Sequence, residues 1–171
     1  PVYELLREFY MGEDKTVMEE TMKAFELLEQ ADNLGSIMKF DLSTKTRREM
    51  ALRYKEWEEV KSDSSVKEIL HSVALILVLT DRYTAVVTNP PYMSSSNMNP
   101  ELSGYVIKNY PHGKSDMFSV FMLLNMDMIE QRGKLGMVNM QSWMFLSSFE
   151  NLRTTVIENY QIDSLLHLGP R

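Results

Sequence analysis

Cysteine is absent from this 171-residue sequence, which excludes both a disulfide framework and a thiolate-ligated metal site. Long apolar runs are missing too: residues 74–79 fall far short of the ~20 residues a membrane-spanning helix needs, and the first residues carry no signal pattern. Basic charge is scarce, because 24 acidic side chains outweigh 18 Lys and Arg and leave a net charge of -6. The sequence therefore predicts a soluble, cytoplasmic protein that does not by itself supply the basic surface for gripping a nucleic-acid backbone.

The first half of the chain has the apolar periodicity of helices. Turn-forming residues separate the second helical stretch from the third. The third stretch is rich in Lys, Arg and Glu at helical spacing, so we expect it to be an exposed helix. The predicted helices are residues 2–10, residues 15–29, residues 44–60, and a run that begins at Ser64 or Ser65 as N-cap and continues to Leu79.

The second half alternates between strand and helix patterns. Its apolar, β-branched segments predict strands at residues 84–88, 134–141 and 161–169. Between them we expect a long polar loop at residues 93–104, a short helix at 105–109, a helix at 116–131 capped by Ser115 and closed by Gly133, and a helix from Ser147 or Ser148 to Asn159. This order predicts an α/β fold with a mostly parallel sheet flanked by helices.

The first predicted strand ends in Asn89, Pro90, Pro91 and Tyr92. Ligands of open parallel sheets gather beyond the carboxyl ends of the strands. Two prolines fix the backbone there and remove two N–H donors, so Asn89 and the Pro90 carbonyl become converging acceptors beside the Tyr92 ring. A bare Asn-Pro is most simply a turn, but all four residue types directly after a strand favour a site for a planar group bearing an NH₂.

The stretch VVTNPPY resembles the catalytic motif of amino-group methyltransferases that use S-adenosyl-L-methionine, a motif written D/N/S-P-P-Y/F/W. Residues 84–171 look like the PglX-type adenine-specific DNA methyltransferases of BREX phage-defence systems, and more distantly like type IIG restriction-modification enzymes. The resemblance implies a partial Rossmann-like methyltransferase fold. It also implies that Asn89 and the Pro90 carbonyl, braced by Pro91, hold the amino group of a flipped adenine while Tyr92 stacks on the ring.

Further site residues follow from the same resemblance. QADNLGS is similar to the region that contacts the cofactor adenine, which implies that Asp32 and Asn33 bind the cofactor; an Asx-turn that closes a helix explains them equally well. GKSDMFSVFM is similar to the segment that lines the cofactor and target pocket, so Asp116 and Phe118 are candidates. A helix cap and a core aromatic are the alternatives for these two residues.

Two features of the family pattern are missing from these residues: the glycine-rich cofactor motif and the acidic residue for the ribose hydroxyls. We therefore expect an internal fragment, with a mainly helical lead-in at 1–80 and the catalytic α/β part at 84–171, that is inactive alone. The full-length protein is expected to act on double-stranded DNA, with other defence-system subunits as candidate partners and no membrane. The three scattered histidines predict no metal site.

Two other functions remain open from the sequence. The motif NPPY also serves protein-glutamine methyltransferases, in which a side-chain amide replaces the base amino group. Alternatively, the same fold serves as a non-catalytic DNA-binding or assembly module, because an intact motif indicates competence and not use.

Overall fold

A computed structural model of the protein describes residue 9, residues 14–60 and residues 63–169. The chain divides into two compact units, Pro1–Asp81 and Arg82–Arg171, and each unit has its own hydrophobic cluster. The predicted helix at residues 2–10 lies outside the described residues except for Phe9, which is buried. None of the described helices is long and apolar enough to cross a membrane.

The first unit is helical in all its described regular elements. Two of its helices have an aspartate as N-cap: Asp14 accepts a hydrogen bond from the Thr16 N–H at 2.9 Å, and Asp63 accepts one from the Ser65 N–H at 2.8 Å. The prediction of Ser64 or Ser65 as a cap was therefore wrong, because a carboxylate one residue upstream reaches the same free donor. The helices are α1 (Lys15–Leu28), α2 (Ala31–Leu34), α3 (Thr44–Val60) and α4 (Ser64–Leu79).

Helix α3 has the predicted bounds but is not simply an exposed helix. Met50 and Trp57 are buried in the cluster of the first unit, together with Val73 and Ile76 of α4. Met50 and Trp57 are seven residues apart, which places them on one face of a helix. The many charged residues around them hide this narrow apolar face in the sequence pattern.

The second unit contains two strands, three helices and three short 3₁₀ turns among its described residues. The coarse prediction of an α/β protein is confirmed by a parallel pair of strands with helices in the same unit. The elements are β1 (Tyr83–Thr88), α5 (Pro100–Asn109), α6 (Met117–Met128), β2 (Ile129–Met137) and α7 (Glu150–Asn159), with turns at Ser95–Asn97, Gln141–Met144 and Ser147–Phe149.

The two strands run in parallel and end side by side. Val86 pairs with Leu135 and Thr88 pairs with Met137, and the Val138 N–H then donates to the Thr88 carbonyl at 3.1 Å. The segment that follows β1 therefore emerges next to the segment that follows β2. This edge positions the candidate site.

The predicted third strand was wrong, since no residue of 161–169 is in a strand. Its apolar side chains Leu166 and Leu168 are exposed, and side-chain contacts hold the segment beside β2, from Lys134 to Asp163 and from Gln141 to His167. A strand requires a backbone partner in register, and apolar composition alone does not provide one.

The junction between α6 and β2 also differs from the prediction. Helix α6 ends at Met128 and the chain enters β2 directly, so Gly133 does not close the helix. The pairing register of β1 with β2 shifts between Tyr83 and Ala85. Opposite this shift, Arg132 of β2 has a φ of 72°, in the left-handed region. A Cβ on Gly133 would lie 3.0 Å from the Tyr83 carbonyl oxygen, so the predicted helix stop is instead a tight bulge in a strand.

Three cap and loop predictions need correction. Asp116, not Ser115, caps α6, and the polar loop is shorter than expected because Asn99 caps α5 by accepting the Leu102 N–H at 2.8 Å. Helix α7 begins only at Glu150, after a 3₁₀ turn, with no side-chain cap. Where several polar residues precede a helix, spacing alone does not identify which one supplies the cap.

A hydrophobic cluster of the second unit lies along one face of α6, and Val120 and Leu124 of the same helix are also buried. Phe118, Met122 and Met126 are buried against Trp143 and Phe149, with Leu135 and Met137 of β2 packed against the cluster. Met122 and Met126 therefore pack the helix, and Trp143 belongs to the core. The cluster fixes α6 beneath the edge where β1 ends.

We expect Gly113→Ala to destabilise the second unit by about 1–3 kcal/mol, because a Cβ at Gly113 would lie 2.8 Å from the Ser119 carbonyl oxygen. The matched control is Gly104→Ala in α5, where a Cβ would meet nothing within 4 Å; it should stabilise the helix by about 0.5–1 kcal/mol. Urea unfolding followed by tryptophan fluorescence measures both changes. Equal effects of the two substitutions would contradict the tight contact at Gly113.

Candidate active site

Residues Asn89 to Tyr92 lie where β1 ends, as the sequence predicted for the strand. Asn89, Pro91 and Tyr92 are exposed, whereas Pro90 is buried. The edge is fixed by the hydrogen bond from the Val138 N–H to the Thr88 carbonyl. Both prolines lack an N–H, so the backbone of this segment offers acceptors with few donors.

The Pro90 carbonyl oxygen accepts no hydrogen bond from any residue that the structure describes. Pro90 is a buried residue, and an acceptor that is shielded from water costs about 1–3 kcal/mol when it has no donor. A ligand that brings an N–H to this carbonyl would remove that cost. The carbonyl is therefore a candidate contact for an amino group.

Tyr92 connects the loop to β2 and to the core. Its hydroxyl oxygen lies 3.3 Å from both Asn89 Oδ1 and the Val138 carbonyl oxygen, and its single O–H donates to one of them at a time. Both distances exceed the usual 2.5–3.0 Å range of O–H···O bonds, so the contacts are weak. The Tyr92 ring lies 6.3 Å from the Phe118 ring between centroids, and Tyr92 remains 48% exposed. Part of the ring surface is therefore available to a planar ligand.

Phe118 and Asp116 take the two alternative roles that the sequence left open. Phe118 is fully buried beneath Tyr92 and packs on Phe149, with ring centroids 5.4 Å apart. Asp116 caps α6 by accepting the Phe118 N–H. The same carboxylate oxygen accepts the N–H of Met93, the residue after Tyr92. Nothing in the sequence signals the contact with Met93. An aspartate directly before a helix signals only the cap role of Asp116.

The segment after β2 lines the same open groove as Tyr92. Trp143 is buried, whereas Phe145 is 70% exposed at the surface of an open groove that Tyr92 also lines. Arg153 of α7 holds this segment: its Nη1 donates to the Trp143 carbonyl at 2.7 Å and to the Leu146 carbonyl at 2.6 Å. An exposed apolar side chain is thus presented by a fixed backbone, and sequence spacing gave no signal for the role of Arg153.

Asp32 and Asn33 lie on the short helix α2 of the first unit. Asp32 is exposed and its carboxylate bonds to none of the described residues. The Asn33 N–H donates to the Gln30 carbonyl at 3.1 Å, as in a turn that follows a helix. The Asp32 carboxylate is therefore available to a hydrogen-bond donor, while the backbone of Asn33 takes part in the local turn.

The second unit thus brings together the amide oxygen of an exposed asparagine, a carbonyl that accepts no hydrogen bond from the described residues, and a half-exposed aromatic ring, at the carboxyl end of a parallel strand. Such a set receives an N–H-bearing planar group by hydrogen bonds and stacking. Among the described residues no group of His, Asp and Glu forms a metal site. The arrangement suits positioning of an amino group.

Comparison with known proteins defines the class. The family model of the Eco57I restriction-modification methylase matches residues 15–171, which is most of the chain. The chain therefore belongs to the Eco57I restriction-modification methylase family.

Two curated relatives are similar to the chain over part of their length. The adenine-specific methyltransferase BrxX of Escherichia coli O9:H4 (strain HS) is 34% identical over 154 residues, which cover 88% of this chain and 13% of the relative. The adenine-specific methyltransferase PglX of Lacticaseibacillus casei (strain Zhang) is 39% identical over 104 residues, which cover 61% of this chain and 9% of the relative. The chain spans only a small part of both relatives.

We expect Arg153→Ala to loosen residues 141–146, because the Trp143 and Leu146 carbonyls lose a charged donor worth about 1.5–3 kcal/mol. Hydrogen exchange measured by mass spectrometry should show faster exchange in this segment. Arg48→Ala is the matched control, since the exposed Arg48 bonds to none of the described residues. Unchanged exchange in 141–146 would show that Arg153 does not hold the segment.

Proposed function

We propose that residues Asn89 to Tyr92 are the catalytic loop of an adenine-specific DNA methyltransferase. The full-length protein transfers a methyl group from S-adenosyl-L-methionine to the exocyclic amino group of a flipped adenine, in phage defence or restriction-modification. This chain forms part of its catalytic domain. The family supports methyl transfer, and the names of the two relatives support adenine as the target.

The pair of acceptors at Asn89 and Pro90 is the observation that carries the proposal. Asn89 Oδ1 is exposed and only weakly held by the Tyr92 hydroxyl, at 3.3 Å. Pro90 is a buried residue, and its carbonyl accepts no hydrogen bond from the described residues. An amino group has two hydrogens, and these two oxygens are adjacent acceptors that supply one bond to each.

The two acceptors also counter the low nucleophilicity of the amino nitrogen. The amino nitrogen of adenine is a poor nucleophile, because its lone pair is delocalised into the ring. Acceptors that draw on both hydrogens favour a pyramidal nitrogen with a directed lone pair. Orientation and electrostatics then lower the barrier, and no strong general base is required at this loop.

Tyr92 supplies the stacking surface. An adenine inside a duplex is paired through its amino group, so the base must leave the stack before it reaches Asn89. The Tyr92 ring is about half exposed and is backed by the buried Phe118, which keeps it from retreating into the core. Stacking on an aromatic ring contributes about 1–3 kcal/mol per base, enough to offset part of the cost of flipping.

S-adenosyl-L-methionine is the cofactor that a methylase family implies, and it supplies an electrophilic methyl group. Within this chain Asp32 is the residue we propose to contact the cofactor adenine, with Asn33 beside it. The exposed, unbonded Asp32 carboxylate fits an acceptor for an adenine amino group. The motif for the methionine part of the cofactor is not found in these 171 residues, so Asp32 and Asn33 are only part of the cofactor site.

Double-stranded DNA is the proposed partner of the full-length protein, and other defence-system subunits are candidate partners. Glutamine in a protein would offer the same NH₂ to the loop. The two relatives are both named adenine-specific, which favours the base. A non-catalytic module would not need the two acceptors, so the catalytic reading is preferred.

We expect Asn89→Ala in the full-length protein to lower N6-methyladenine in genomic DNA by about 10²–10³-fold, because one of two acceptors is lost. Asn89→Asp keeps an acceptor oxygen and should retain more activity. Asn97→Ala is the matched control, since Asn97 lies in the turn that follows the loop and has an exposed side chain that bonds to no described residue. Mass spectrometry of hydrolysed DNA measures the modification, and unchanged methylation in Asn89→Ala would refute the catalytic role.

A second prediction concerns the ring of Tyr92. Tyr92→Phe keeps the stacking surface and removes only two long hydrogen bonds, so methylation should stay within about threefold of the wild type. Tyr92→Ala removes the ring and should cost about 1–3 kcal/mol of transition-state stabilisation. Steady-state kinetics with DNA compare the variants. Equal activity of the Phe and Ala variants would exclude stacking by Tyr92.

A further inference from the structure

The catalytic loop is held at two ends. Upstream, the Thr88 carbonyl accepts the Val138 N–H at 3.1 Å and fixes the end of β1. Downstream, the Met93 carbonyl accepts the Met117 N–H at 2.9 Å, and the Met93 N–H donates to Asp116 Oδ1 at 3.2 Å. Only the four residues of the motif lie between Thr88 and Met93.

The loop depends on these ends because its own backbone cannot hold it. Pro90 and Pro91 have no N–H groups to donate to any acceptor. They also restrict the residues before them to extended geometry, so the backbone of the loop is stiff. A displacement of Met93 is therefore transmitted to Tyr92 and Asn89, and is not absorbed by a flexible turn.

One carboxylate oxygen joins the loop to α6. Asp116 Oδ1 accepts the Phe118 N–H of the first helical turn and the Met93 N–H of the loop, each at 3.2 Å. The neighbouring backbones add an antiparallel bridge between Ser94 and Asp116. Since Phe118 also lies beneath Tyr92, the start of α6 contacts the loop from below and from its downstream end.

We propose that Asp116 is a positioning residue for the catalytic loop. Its carboxylate fixes Met93 against the start of α6 and thereby holds Asn89 and Tyr92 at the distance and angle that methyl transfer requires. Asp116 does not touch the target base and donates no proton in this role. The inference rests on the proposed function and deepens it by naming what aligns the two acceptors.

A helix cap alone would also explain an aspartate at this position, and two substitutions separate the roles. Asp116→Ser keeps an N-cap oxygen for the Phe118 N–H, but the shorter side chain draws that oxygen back from Met93. Asp116→Asn keeps an oxygen at the same distance from the backbone and can accept both hydrogen bonds. The control Asp63→Ser makes the same change at α4, where Asp63 accepts the Ser65 N–H inside its own helix.

Steady-state methylation by the full-length protein is the first measurement. Asp116→Ser should lower kcat by about 10–100-fold, the effect expected of a misplacement of the order of 1 Å, with little change in KM for S-adenosyl-L-methionine. Asp116→Asn should remain within about threefold of the wild type, and Asp63→Ser should change kcat little. Wild-type kcat in Asp116→Ser, or a loss in Asp116→Asn as large as in Asp116→Ser, would overturn the proposal.

Hydrogen exchange of the peptide containing Met93 is the second measurement, and it does not depend on activity. Asp116→Ser should speed exchange of this peptide, whereas Asp116→Asn should not. Unchanged exchange in Asp116→Ser would overturn the proposal even if kcat fell. Faster exchange in Asp116→Ser combined with a wild-type protein that does not methylate adenine would overturn the proposed function and leave the attachment of the loop by Asp116 supported.

Discussion

The parallel pairing of β1 with β2 is the constraint on which the candidate site depends. Parallel strands end at the same edge, so the loop after β1 and the segment after β2 emerge beside each other. The hydrogen bond between Thr88 and Val138 fixes that edge, and the Tyr92 hydroxyl reaches the Val138 carbonyl across it. An antiparallel pair would place the two segments at opposite ends, and no shared groove would form.

Rigidity at this edge has a cost that the rest of the second unit offsets. The two prolines remove backbone donors and leave the Pro90 carbonyl without a hydrogen bond from the described residues. The buried face of α6, with Phe118 against Phe149, supplies compensating apolar contact directly beneath Tyr92. A stiff loop needs this packing to stay in place, because without it the loop would move as a rigid segment relative to the rest of the unit.

The sequence predicted what depends on local pattern and missed what depends on partners. Both bounds of helix α3 were predicted correctly, because the spacing of its charged residues is a local property of the sequence. The strand before Asn89 was recognised from its β-branched run. Residues 161–169 are rich in leucine and also suggested a strand, but they have no partner in register and form none. The contact of Asp116 with Met93 spans 23 residues, and nothing in either local pattern predicts it.

The position of the Tyr92 hydroxyl bears on how the proposed site would receive its substrate. In this structure the hydroxyl donates to Asn89 Oδ1, the same oxygen that we propose accepts a hydrogen from the target amino group. Replacing a long O–H···O bond by an N–H···O bond from the base exchanges one donor for another, so Asn89 need not pass through an unbonded state. The Pro90 carbonyl has no hydrogen bond from a described residue to give up when it accepts the second amino hydrogen. The free energy that favours an NH₂ group over a group with a single donor would therefore come chiefly from Pro90, while Asn89 would contribute direction and Tyr92 the stacking surface.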